Sequence, residues 1–157
     1  MRYVLILVSF LYSIFAQASL PLRVELSELV KNTDHLLVGH VVGVDMINDK
    51  GDKITDSQAM TGPGIDNIIR LKIEIDETVI SNSVQPPKII MVPLDPFMHH
   101  SLGQIQRAHD GDTRKFLLLL KGRSLSPPFP GNYRRELSEK EEILKLFNMH
   151  KKVGGEN

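Results

Sequence analysis

The run Leu36-Leu-Val-Gly-His-Val-Val-Gly-Val-Asp-Met-Ile47 carries the strongest structural signal in this 157-residue chain. It is dense in β-branched residues and apolar at alternate positions of both parities, so a strand here is covered on both faces. It reads as a central, strongly curved strand. Gly39 and Gly43 weaken a flat strand, but they suit one that coils around a barrel, where a missing Cβ admits a close neighbour. Downstream, Ile69, Leu71, Ile73 and Ile75 alternate with Arg70, Lys72, Glu74 and Asp76. That period of two belongs to a sheet with one buried and one wet face. Residues 88–92 (Lys-Ile-Ile-Met-Val) follow across a turn at 81–87 as its hairpin partner, and Lys115-Phe-Leu-Leu-Leu-Leu-Lys121 is a further buried strand. Residues 132–137 supply a last edge strand.

Around these strands lie two helices. Leu22, Leu26, Leu29 and Val30 recur at helical spacing and predict a short amphipathic helix over 22–32, stopped by Asn32-Thr33-Asp34. Ser138-Glu-Lys-Glu141 has the order of a capping box and, with Lys151-Lys152 near the far end, predicts a helix over 139–151. Residues 48–64, closed by Gly62-Pro63-Gly64, read as an exposed, mobile loop; 93–111 reads as a second long loop and 122–131 as an extended connector. Strands that never alternate with helices argue against a parallel βαβ sheet. The prediction is a mainly β fold: a small OB-like Greek-key barrel of about five strands with a short N-terminal and a longer C-terminal helix. An open antiparallel sheet with both helices on one face is the alternative.

Met1-Arg2, an apolar run from Tyr3 to Phe15 and Ala16-Gln17-Ala18 have the charged, hydrophobic and small-residue order of an export signal. The apolar run is 13 residues, short of the roughly 20 that span a bilayer. The expectation is therefore cleavage after Ala18 and a periplasmic or secreted protein, attached to a membrane only if cleavage fails. Residues 19–152 then form one domain, with 153–157 a flexible tail. The balance of 19 Lys+Arg against 19 Asp+Glu offers no general attraction to nucleic acid. The absence of Cys removes disulfides, thiolate catalysis, Fe–S clusters and Cys-type zinc sites.

Asp34-His-Leu-Leu-Val-Gly-His-Val-Val-Gly-Val, Ile73-Glu-Ile-Asp-Glu-Thr-Val-Ile, Pro87-Lys-Ile-Ile-Met-Val and Gly111-Asp-Thr-Arg-Lys-Phe-Leu-Leu-Leu-Leu together resemble small exported bacterial proteins with a netrin-module or TIMP-like OB barrel. The likeness covers about residues 34–120. It implies the fold; the chain lacks the N-terminal cysteine with which a TIMP chelates a protease's zinc, so no inhibitory residue is carried over, and a protease-inhibitor-like role rests on fold analogy alone.

His99, His100, His109, Asp110 and Asp112 form the densest set of polar ligands, and imidazoles with carboxylates suit Zn, Ni or Cu. The competing reading is an exposed polar loop, since two adjacent histidines in a strand point to opposite faces. His40, between apolar neighbours, reads as a hydrogen-bonded or partly exposed histidine. No nucleophile elbow, phosphate loop, zincin helix or dinucleotide fingerprint occurs. The expected function is a non-catalytic exported binding module, with no cofactor, that uses loops 48–64 and 94–111 against a protein or another envelope component. Metal binding through the 99–112 cluster is the alternative.

Overall fold

The computed structural model describes residues 24–82 and 85–153. The export signal read at 1–18 and the tail beyond Val153 lie outside the described residues. Six strands form one antiparallel sheet: β1 (His35–Ile47), β2 (Lys53–Ile54), β3 (Ile68–Ser81), β4 (Ile89–Pro93), β5 (Phe116–Leu120) and β6 (Arg134–Arg135). The ladder order is β4-β3-β1-β5-β6, with β2 also paired to β1. Among the described residues three helices accompany it: α1 (Leu26–Lys31), α2 (Leu102–Ala108) and α3 (Lys140–Val153), the last preceded by a 3-10 turn at Leu137–Glu139.

β1 is the central strand that its composition predicts. It pairs with β3 from His35↔Ser81 to Ile47↔Ile68, and on its other edge with β5 from His35↔Leu120 to Gly39↔Phe116. Its apolar content on both parities has two destinations. Leu37 and Val41 join Leu71, Ile73, Ile90, Val92, Phe116, Leu118, Leu120 and Tyr133 in an inner core. Leu36 and Val38, with Leu117 and Leu119, face the other way and meet Leu29 and Val30 of α1 and Ile143 of α3. β5 is thus buried on both faces, as its uninterrupted apolar run requires.

The β1–β3 register slips between Leu36/Leu37, Val38/Gly39 and Val41/Gly43. The second slip skips Asp76 on β3 and the third skips Val42 on β1. Such bulges bend a strand and raise its twist, which curls the sheet so that β4 at one end and Tyr133 beside β6 at the other share the inner core. Among the described residues no ladder joins β4 to β6.

The structure departs from the sequence expectation in five places. Residues 93–111 are not loop throughout: Ser101 caps α2 by accepting a hydrogen bond from the Gln104 N–H (3.2 Å). The 48–64 segment is tied down, with β2 pairing to β1 as Met46↔Ile54 and Ile47↔Lys53, and Thr61 buried. β3 continues past Asp76 to Ser81 because the bulges change which parity faces inward. α1 begins only at Leu26, since the Val24 N–H and carbonyl are engaged by Asn132 ahead of β6 and Arg135 of β6. The capping box also shifts: it forms between Glu136 and Glu139, and α3 runs from Lys140 to Val153. No described helix is long and apolar enough to cross a membrane.

Candidate functional site

The two segments expected to bind, 48–64 and 94–111, are hydrogen-bonded to each other. The Thr61 N–H donates to the His100 carbonyl, the Leu102 N–H to the Ala59 carbonyl and the Gly103 N–H to the Ser57 carbonyl, each at 2.9 Å. The Thr61 hydroxyl donates to the Met98 carbonyl at 2.9 Å, which accounts for a buried polar side chain. Met60 and Ser101 form an isolated antiparallel bridge. Below, Leu102 and Met46 and Ile69 of the sheet make a small core. The result is one lobe beside the C-terminal end of β1. Its surface carries Phe97 at 70% exposure, Met60 at 40%, and Ile65 and Met98 at 38% each.

The five candidate metal ligands are dispersed over this lobe and its flank. His99 packs its ring against Gly62, whose φ of 144° and missing Cβ make room for it. His100 has a buried Nδ1 with no hydrogen-bond partner among the described residues. His109 ends α2, and its Nδ1 stands 3.8 Å from Asp112, beyond hydrogen-bond reach. Asp110 is exposed. Asp112 accepts two hydrogen bonds from the Arg114 guanidinium, at 2.8 and 2.9 Å. Those bonds hold the Asp112 carboxyl far below the usual carboxylate range, while burial and then the neighbouring Arg134 charge lower His109. Only His109 and Asp112 are brought close, and among the described residues no three His, Cys, Asp or Glu side chains converge as a metal ion requires.

A second polar feature went unread in the sequence. A cleft of about 520 Å³ opens between residues 40–44 of β1 and the turn 109–113. At its margin His40 Nδ1 lies 2.9 Å from Asp76 Oδ2, and Lys115 Nζ lies 3.2 Å from Asp76 Oδ1. The hydrogen bond with His40 lowers the Asp76 carboxyl. His40 is thus the hydrogen-bonded, half-buried histidine expected of it, but the partner depends on the bulge that skips Asp76 and turns its carboxylate toward β1. No periodicity announces that pairing. A carboxylate-held imidazole can carry protons; among the described residues Thr113, on the turn across the cleft from β1, is the one hydroxyl residue that lines it.

No protein-family model matches the chain, and no curated protein is detectably similar to it.

Proposed function

We propose that this protein is an exported, non-catalytic binding module in which a partly open OB-like barrel presents the 48–64 and 94–111 lobe to a protein or another envelope component. The observation that carries the reading is the lobe itself: two long segments joined by backbone hydrogen bonds into one fixed surface that exposes Met60, Ile65, Phe97 and Met98. Loops held by a rigid scaffold are common carriers of recognition. Exposed aromatic and Met side chains on a pre-ordered backbone bind with little ordering cost.

The barrel assignment is supported by the ladder order, by the single inner core drawn from β1, β3, β4 and β5, and by α2 lying between β4 and β5. The two sheet ends also approach without pairing. Pro93 at the end of β4 and Pro96 after it share a groove with Pro127 and Pro130 ahead of β6, and Gly131 lies against Asp95. This is consistent with the netrin-module resemblance of residues 34–120. The export assignment rests on the order of residues 1–18.

The test is crosslinking in the native envelope and secreted fractions with the wild-type chain and with a Met60→Ser/Phe97→Ser variant. One partner retained by the wild type and lost by the variant is expected; an identical partner set from both would remove the lobe from the reading. The mass of the exported species checks the other half. It should begin at Ser19, and a species that keeps residues 1–18 contradicts cleavage.

A further inference from the structure

Resting on the lobe reading, we propose that the surface it recognises is a protein segment combining large apolar side chains with Lys or Arg, and not an anionic membrane. Exposed apolar residues alone would suit either a lipid surface or a protein. The charges around them separate the two.

Asp66 follows Ile65 in the chain, Asp95 lies two residues before Phe97, and Asp56 begins the turn that leads into Met60. Asp95 Oδ1 accepts the Phe97 N–H at 2.9 Å and Asp56 Oδ1 accepts the Gln58 N–H at 2.9 Å, so both carboxylates are fixed within the turns that carry Phe97 and lead to Met60. Among the described residues none of these three aspartates enters an ion pair. The long strands behave differently: Asp45, Glu74, Asp76 and Glu77 of β1 and β3 all have a cationic partner. The lobe carries an excess of negative charge: residues 48–67 and 94–111 contain six aspartates against two lysines and one arginine.

Anionic leaflets attract basic segments and repel acidic ones within about a Debye length. Nucleic acid phosphates are repelled for the same reason. A partner carrying Lys or Arg around an apolar anchor is attracted by the aspartates and receives the anchor on Phe97 and the adaptable Met60 and Met98.

The experiment is selection of displayed random twelve-residue peptides on the full-chain protein. Selected peptides are then measured against Phe97→Ser/Met98→Ser and against Asp56→Asn/Asp66→Asn/Asp95→Asn. Asn keeps the oxygens with which Asp56 and Asp95 cap their turns, and urea unfolding confirms that both variants retain the fold. Enriched peptides should pair Lys or Arg with large apolar residues, lose about tenfold in affinity on the serine variant, and weaken severalfold on the asparagine variant and in high salt. Peptides lost on the serine variant but neutral in charge and indifferent to the asparagine variant overturn the charge inference while leaving the lobe as the site. Peptides bound equally by every variant, or no enrichment, overturn both. Sedimentation of the wild type with phosphatidylglycerol vesicles, abolished by the serine variant, would assign the lobe to a membrane instead.

Discussion

At Gly39 the backbones of β1 and β3 come so close that a Cβ would stand 2.6 Å from the Glu74 carbonyl oxygen and 2.9 Å from Ile73 Cγ2. The obstructing atom is backbone, so the strain is not relieved by a rotamer change. Gly39→Ala should cost about 1–3 kcal/mol, the usual range for overpacking, in urea unfolding. Gly43→Ala, with nothing nearer than the Lys72 side chain at 3.8 Å, should stay within about 0.5 kcal/mol of wild type. Both glycines read alike in the sequence, and only one meets the close neighbour expected of it. Tyr133 offers a second residue-scale test. Its ring is in the inner core, its hydroxyl is buried with no hydrogen-bond partner among the described residues, and burial raises its pKa to about 12. The unfolded chain ionises near 10, so the contribution of the neutral phenol is complete below pH 10 and is lost as pH rises toward 12, by about 2–3 kcal/mol. Tyr133→Phe should match or exceed wild-type stability at pH 7 by up to about 1 kcal/mol and lack this alkaline loss. Urea midpoints at pH 7 and pH 11 decide it; parallel losses in both proteins would show that the hydroxyl is hydrated.

The elements differ in how plainly the sequence announces them. β1 and β5 are legible because they are β-branched or leucine-rich and buried on both faces, and the first half of β3 because it alternates. The second half of β3 is not, since each skipped residue moves the pattern onto the other parity. α2 escapes because it is seven residues long, buries only Leu102 and Gly103, and sits among histidines that draw attention to ligand chemistry. Its one usable signal is Ser101-Leu-Gly-Gln104, the order of a helix start. Ser101→Ala should therefore cost about 1 kcal/mol and raise hydrogen exchange in the lobe that α2 supports; exchange confined to residue 104 would detach α2 from lobe order. The candidate site was legible as composition and as two long segments, but not as geometry. Which loop atoms meet, and that His40 faces Asp76, depend on register and bulges rather than on local spacing.

Across the whole molecule, the two main cores are not independent, because β1 and β5 each supply side chains to both. Losing either core breaks the strands that build the other. Unfolding should be a single transition, with far-ultraviolet dichroism and the Tyr133 near-ultraviolet signal coincident in urea. Separated midpoints would show that the helical side of the sheet melts alone. The same pairing has a consequence in time. β1 meets β5 as Leu36↔Leu119, partners more than eighty residues apart in the chain. At a synthesis rate of roughly 5–20 residues per second, the first strand waits several seconds for the last one it needs. Through that interval a segment with apolar residues on both faces has no completed sheet to enter. The nascent chain must be kept from premature pairing until its final third emerges, a demand that a sheet of sequential hairpins would escape.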